Sequence, residues 1–334
     1  YGAGGAHRPE GVRFTQSLEE DAFRRDFTVN ALYYDILSGQ IVDPTGGLAD
    51  LSARAIRATS PDPGVILSDD GLRILRMARF AAELGFSVEG RTLAAARANV
   101  AGVRDISAER LREELDKILL SDIRYGLGSG RVLAGLFLLR ETGALAVVLP
   151  EVAAGAGIAQ RAEYHAHDVE EHMLRACACA KPTRTARLAA LLHDVGKPVM
   201  VRKTGRMLGH DAAGAALAAD ILRRFKYPNA VREEVVALVR QHMYDLNGNA
   251  KESTLRRRFA LWGAAFTLAL ADLREADVHG SGRIAGEVKS AARWRAVLAR
   301  MQQEGASQPQ EEAEPASEMP APDEPTRDYQ FVSR

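Results

Sequence analysis

The stretch SDDGLRILRMARFAAELGF, residues Ser68–Phe86, decides how the rest of this chain is read. Leu72, Leu75, Ala78 and Ala82 recur every three or four residues, the period of an amphipathic helix. Ser68 suits the N-cap, and Asp69 and Asp70 follow where the helix dipole favours negative charge. Gly85 supplies a left-handed stop. On one helix over 68–86, Asp70 and Arg73 are i,i+3 neighbours, and Arg76 continues their row. A carboxylate beside a guanidinium sets an acceptor next to a planar fork of donors, the chemistry that reads a base edge. Two dipole-friendly aspartates and a surface ion pair also account for the same letters.

Upstream, RRDFTVNALYYD (Arg24–Asp35), VDPTGGLADL (Val42–Leu51) and IRATSPDP (Ile56–Pro63) lead into that helix in order. The series resembles the class II tRNA nucleotidyltransferases, the CCA-adding enzymes and their bacterial poly(A) polymerase relatives. The likeness runs from about Ser17 to about Leu120 and resumes in a downstream HD domain. It implies that Arg24, Arg25 and Asp26 contact the ribose and phosphates of an incoming nucleotide. It implies that Asp70 and Arg73 pair with CTP or ATP in place of a template strand; Asp69 stands where the family usually has Glu. Asp43, Gly47 and Asp50 match a D-x3-G-x2-D hinge, and Arg110 and Glu114 an R-x3-E element that steadies the neck helices. The family's metal-binding D-x-D, behind a Gly-rich stretch, is not in this sequence, which opens at Tyr1. Two-metal phosphoryl transfer needs such carboxylates to hold Mg²⁺ against the triphosphate and the attacking hydroxyl. The expectation is an incomplete Mg²⁺ site and a fragment inactive in nucleotide addition by itself.

A second constellation follows. His172 lies in DVEEHMLRA, and His193-Asp194 ends RTARLAALLHDVGKP. His210 lies in GHDAAG, His242 in VRQHMY and Asp277 in LREADVHG. Imidazole and carboxylate are ligands for a hydrolytic divalent metal, and an adjacent His-Asp pair delivers two from one helix end. Any one of these histidines alone reads as a core residue; the ordered set resembles the HD superfamily of metal-dependent phosphohydrolases. The resemblance implies His172, His193, Asp194 and Asp277 as ligands of a transition metal such as Mn, Ni or Co. His210 and His242 are then outer residues, second-metal ligands or phosphate contacts. Lys197 reads either as a phosphate contact or as a surface lysine at a helix end. His165 and His167 are not expected to be ligands.

The chain's 46% hydrophobic and 26% charged residues fit a globular protein, and no apolar run approaches the roughly 20 residues that span a bilayer. Cys177 and Cys179 point to different helix faces, which disfavours a disulfide or zinc site and suits a reduced cytoplasmic protein. The net charge of zero hides an asymmetry: from Gln303 onward there are 8 acidic and 2 basic residues. The basic remainder suits a polyanion such as the acceptor end of tRNA.

The expected architecture is mainly α. Residues 1–51 read as the C-terminal part of an α/β palm, with a Gly-rich loop and a strand over 11–15. A helix starts at Ser17, capped with Glu20, and runs through Arg24–Leu32; a hairpin turns at Ser38-Gly39. Residues 52–150 read as a helical neck and body that selects nucleotide and binds RNA. Val152–Ile158 reads as a linker, 159–302 as an all-helical HD domain, and 303–334, rich in Pro and Glu, as a disordered tail. Arg256–Arg258 is a phosphate patch or an ordinary solvated face. Three functions follow: CCA addition to tRNA with CTP and ATP; an HD phosphatase or 2′,3′-cyclic phosphodiesterase; and a poly(A) polymerase or a non-catalytic RNA-binding piece. No membrane is expected as a partner.

Overall fold

The structure, a computed structural model, describes residues 17–128, 130–283 and 286–307. Its first part holds α1 (Leu18–Phe23), a 3₁₀ turn (Thr28–Asn30), β1 (Tyr33–Asp35), β2 (Gln40–Val42), α2 (Gly47–Ala53) and β3 (Ala55–Ile56). Then come α3 (Pro63–Asp69), α4 (Leu72–Leu84), β4 (Ser87–Val88), α5 (Gly90–Ala98), a 3₁₀ segment (Val100–Asp105) and α6 (Ala108–Leu119). Short α7 (Ser121–Arg124) precedes α8 (Gly130–Glu141), α9 (Ala144–Val148) and α10 (Pro150–Ala153). The remainder is α11 (Val169–Cys179), α12 (Arg184–Leu192), α13 (Lys197–Thr204), α14 (His210–Arg224), α15 (Asn229–Gln241), α16 (Glu252–Trp262), α17 (Ala264–Gly280) and α18 (Lys289–Ser307). β1 and β2 pair antiparallel with Tyr34 opposite Ile41, and β3 pairs parallel with β4. Among the described residues no helix is long and apolar enough to cross a membrane.

The Ser68–Phe86 stretch is not one helix. Asp62 caps α3, with Pro63 in its first turn, so Ser68 lies inside a helix rather than at its start. Asp70 is extended (φ −147°, ψ 106°), and its Oδ1 accepts the Leu72 N–H at 3.0 Å. Gly71 lets the break pass close to Gly102 and Val103; a Cβ at 71 would fall 2.7 Å from the Val103 nitrogen. The apolar period survives because Leu72, Leu75, Ala78 and Ala82 all belong to α4 and are buried. Burying a leucine contributes roughly 1.5–3 kcal/mol, so α4 is pinned in the core beside α6 and α8.

Three other expectations are corrected. The first helix stops at Phe23 instead of continuing over Arg24–Leu32. Phe27, wholly buried against Phe80, pairs with Ala58 in a β-bridge, and that tertiary contact turns the chain. Val152–Ile158 is no free linker: Val152 is buried in α10, and the Gly157 N–H donates to Asp168 at 2.8 Å. The last helix runs to Ser307, past Gln303, and Glu304 is ion-paired with Arg256. The expected Gly-rich loop, strand 11–15 and the rest of the tail, 308–334, lie outside the described residues.

The neck and the later helices are joined through buried polar contacts. The Tyr227 hydroxyl donates to Asp116 of α6 at 2.7 Å. Arg187 of α12, 1% exposed, donates to Asp122 of α7 at 2.5 Å and to the carbonyls of Cys177 and Ala178.

α11 and α17 lie against each other at Gly280, where an added Cβ would meet the Ala176 nitrogen at 2.5 Å. Each sits about one turn beyond a candidate ligand, His172 and Asp277. Gly280→Ala is expected to cost about 1–3 kcal/mol by overpacking and to lower the affinity for divalent metal. Urea unfolding and metal titration measure both; an unchanged midpoint and affinity would contradict this packing.

Candidate functional sites

The first site is a cleft of about 300 Å³ beside the α3–α4 break. Asp70 enters it as a cap at the break, and its Oδ2 accepts from Arg110 of α6 at 2.7 Å. Arg73, on the first turn of α4, donates to the carbonyls of Ile66 (2.7 Å) and Arg24 (2.9 Å). These anchors use two of the five guanidinium N–H groups, and the Asp69 carboxylate lies 3.9 Å from Nη1. Asp26 is nearly buried; it accepts from Arg76 at 2.6 Å and from the Phe27 N–H at 2.9 Å. Arg25 donates to Tyr33 and to the Asn30 carbonyl, both at 3.1 Å.

The structure thus brings Arg25, Asp26, Asp70 and Arg73 to one cleft. The Arg24 side chain does not line it; it is 68% exposed and bonded to Asp21. Asp21, seen in the sequence only as part of a helix start, holds Arg24, Arg25 and Tyr33 together. Hydrogen bonds from the Tyr33 hydroxyl and both arginines hold its carboxyl well below the usual range. Arg76 and Arg110 also line the cleft. Arg110 stands 40 positions from Asp70, a separation that carries no local signal.

The supporting positions form separate contacts. Asp43 accepts the N–H groups of Gly47 and Leu48 at the start of α2, at 2.7 and 2.9 Å. Asp50 accepts from the Thr28 hydroxyl at 2.7 Å and from Arg57 at 3.0 Å. Glu114 is buried, with Arg79 at 2.6 Å and Lys117 at 3.0 Å, while Arg79 also reaches Glu83 at 3.0 Å. Removing one partner of a buried pair like Arg79–Glu114 costs about 3–5 kcal/mol, so this contact locks α4 to α6.

The second site gathers side chains from five helix segments around one carboxylate. His172 comes from α11, His193 and Asp194 follow α12, His210 opens α14, His242 ends α15 and Asp277 lies in α17. Asp194 Oδ2 lies 3.3 Å from His172 Nε2 and 3.2 Å from His193 Nε2. Its Oδ1 lies 3.2 Å from His210 Nε2 and 3.6 Å from His242 Nε2. Asp277 Oδ1 is 3.1 Å from His172 and 3.5 Å from His193. The donors fall into two groups, His172–His193–Asp277 and Asp194–His210–His242, each within 4.8 Å. Three outward tautomers are fixed: the Nδ1 atoms of His193, His210 and His242 each approach a main-chain carbonyl at 2.7–2.8 Å. That leaves every Nε2 aimed at a shared interior point, the donor chemistry of a divalent cation. The six residues fit such a group.

Lys197 is engaged inside the site, donating to Asp194 at 2.5 Å and to Gln160 at 2.7 Å. His165 stacks edge-on against His172 with ring centres 4.6 Å apart, and His167 pairs with Glu171 at 3.2 Å. Arg256 is tied to Glu252 and Glu304.

Comparison with known proteins agrees with this division. The model of the poly A polymerase head domain matches residues 3–57. That of the probable RNA and SrmB-binding site of polymerase A matches 85–155, and that of the HD domain 157–279. The A-adding tRNA nucleotidyltransferase of Deinococcus radiodurans is 36% identical over 311 residues, 89% of this chain and 69% of that protein. The multifunctional CCA protein of Chromobacterium violaceum is 40% identical over 226 residues, 65% of this chain and 52% of that protein. The chain spans about half the length of the multifunctional CCA proteins it matches. The solved CCA-adding enzyme of Bacillus stearothermophilus, in complex with CTP, has a TM-score of 0.60 at 28% identity. That likeness covers 88% of this chain and 61% of the other. A head and helical neck bearing a basic cleft, followed by an all-helical His/Asp cluster, define a nucleotidyltransferase-type chain with an HD domain. The chain belongs to the tRNA nucleotidyltransferase family.

The charged groups of the second site shift one another's titration. Burial alone would lower the imidazoles, but the two carboxylates outweigh it and push His193 up to about 10. Asp194 and Asp277 are held well below the usual carboxylate range, against burial, by those imidazoles. His193 is raised above its ordinary 6.5, so its ion pairing contributes stability in full below about pH 6.5. That contribution is lost as pH rises through about 10. A divalent cation needs neutral imidazole and binds more tightly over the same rise. Calorimetric titration with Mn²⁺ at pH 7.5, in two buffers of different ionisation enthalpy, is expected to show proton release. Binding without proton release would contradict the assignment.

Proposed function

We propose that this chain carries the nucleotide-selecting and RNA-holding parts of a cytoplasmic tRNA nucleotidyltransferase that adds CCA from CTP and ATP. The supporting observation is the one cleft that Asp70 and Arg73 line together with Arg25 and Asp26. C and A each present an amino donor beside a ring-nitrogen acceptor on the pairing edge; U and G present a carbonyl beside an N–H. The Asp70 carboxylate accepts from the amino group and the Arg73 guanidinium donates to the ring nitrogen. The same pair meets U or G with acceptor against acceptor and donor against donor. Arg25 and Asp26 face the ribose and phosphates, with Arg24 contributing its exposed charge from the rim. Asp43, Gly47 and Asp50 form the hinge, and Arg110 and Glu114 steady the neck. Through backbone phosphates, residues 52–150 hold the tRNA acceptor end. Asp26 and Asp70 are each tied to an arginine, and among the described residues no third donor joins them. This pair does not fit Mg²⁺, and the cleft's own work is binding and selection.

The HD cluster supports a second activity, hydrolysis of a phosphomonoester or a 2′,3′-cyclic phosphate over residues 159–302. Its mixed imidazole and carboxylate donors suit Mn, Ni or Co. A divalent cation there supplies Lewis-acid polarisation of the ester and a lowered pKa for water. Asp194 reaches both donor groups, and Lys197 holds it in place.

Labelling of tRNA lacking its 3′ CCA, by the full-length protein, tests the selection. Asp70→Ala and Arg73→Ala are each expected to lower preference for CTP over UTP by roughly tenfold to a hundredfold, the value of a good base-edge pair. Unchanged C-then-A addition would refute the template role, and A-only addition would point to the poly(A) relatives.

A further inference from the structure

The HD cluster forms the floor of a cleft of about 410 Å³, within the roughly 300–1,000 Å³ of small-molecule sites. Asp194, His210, His242 and Asp277 line it, and they account only for the metal end. The rest of the lining includes apolar surface from Tyr164, Met207, Met243, Leu246 and Val278. Tyr164 and Met243 are 60% and 41% exposed, although both belong to this lining. A phenol ring and thioethers around an open slot take a flat aromatic group, because a ring face and polarisable sulfur both favour stacking.

The polar groups at the mouth fix what that aromatic group carries. Tyr164 and His165 both donate their N–H to the Arg161 carbonyl, at 3.0 Å, so the three residues sit on one turn. Arg161 and His165 line the same cleft as Tyr164. Lys197 and Arg274 also line it but are committed, Lys197 to Asp194 and Arg274 to Asp277 at 2.7 Å. Arg161 has no ion-pair partner among the described residues, and the buried Nδ1 of His165 has no hydrogen-bond partner there. An uncommitted cation beside an aromatic slot suits a ligand with negative charge at one end and a ring at the other.

We propose that the 161–165 turn and Met243 form a nucleobase shelf, with Tyr164 as the residue that makes the HD site specific for nucleotides. This rests on the reading of the HD cluster as a phosphohydrolase. The base stacks on Tyr164 against Met243, and the phosphate lies toward Arg161 and the metal end. The shared chemistry is a nucleoside bearing a phosphate on its ribose, either free or as the last residue of an RNA. Tyr164 is a specificity residue and not a catalytic one.

The test compares two phosphomonoesters, adenosine 3′-monophosphate and the baseless glycerol 2-phosphate. Binding is measured by equilibrium dialysis to the full chain with Mn²⁺, at low temperature and short times, and hydrolysis is followed separately. Tyr164→Ala is expected to weaken adenosine 3′-monophosphate at least tenfold, the scale of lost base stacking, while glycerol 2-phosphate is unchanged. Tyr164→Trp is expected to restore the nucleotide to within about twofold. Because Tyr164 is mostly exposed, both variants should keep the wild-type melting temperature, and Arg73→Ala, in the other cleft, should leave binding alone. A short RNA ending in a 3′-phosphate separates the two sources: a loss there as large as on adenosine 3′-monophosphate marks RNA ends as well as free nucleotides, and a loss confined to adenosine 3′-monophosphate marks free nucleotides alone. Both support the shelf. Equal weakening of both phosphomonoesters by Tyr164→Ala, no effect on either, or no nucleotide binding by the wild type would each overturn it. Base-dependent binding without metal-dependent hydrolysis of any probe would leave the shelf standing and sink the phosphohydrolase reading instead.

Discussion

One interruption governs the nucleotide end of this molecule. Between α3 and α4 the chain leaves helical geometry at Asp70, and Gly71 lets the turn lie against Gly102 and Val103. An unbroken helix would have carried Asp70 and Arg73 along one outer face. The break instead makes Asp70 a cap whose remaining carboxylate capacity faces Arg110 and the cleft. Arg73 then anchors two of its N–H groups on main-chain carbonyls, which fixes the plane of the guanidinium. Preorganised donors and acceptors lose little entropy when a ligand arrives, and the proposed base selection rests on that preorganisation.

The same logic operates at the other end. Asp194 sits at the end of α12 with one oxygen toward each donor group, and the buried Lys197 holds it within the site. Main-chain carbonyls orient three of the histidines so that their inner nitrogens converge. The two ends share a scaffold. α6 carries Arg110 toward the cleft, Glu114 toward Arg79 of α4 and Asp116 toward Tyr227. α12 carries Arg187, bonded to Asp122, and leads directly into His193-Asp194. Buried charge of this kind is costly to leave unpaired, so each pair restricts how the neck and the later helices can pack.

Much of this was legible in the sequence, for local reasons. The apolar period of α4, the Ser38-Gly39 hairpin and the Ser17 cap are decided within a few residues, where propensity and capping act. The order H, HD, H, H, D named all six cluster residues because ligand chemistry restricts their type. What could not be read there depends on distant partners. The helix break needs the backbone of Gly102, the end of α1 needs Phe27 to meet Phe80, and Asp70 needs Arg110. The division of the cluster into two groups depends on which way each Asp194 oxygen points, which spacing does not encode. Tyr164 gave no signal because a single exposed tyrosine is ordinary until the fold brings it into the cleft lined by the His/Asp cluster.

The most direct test of the central claim is a titration of this chain with CTP and UTP, which differ at the amino-or-carbonyl position and the neighbouring ring nitrogen. If the Asp70–Arg73 arrangement selects the base, CTP binds more tightly than UTP, and Asp70→Asn, which turns part of the acceptor into a donor, narrows or reverses the difference. Equal affinity for the two nucleotides, or a preference untouched by Asp70→Asn, would contradict the account.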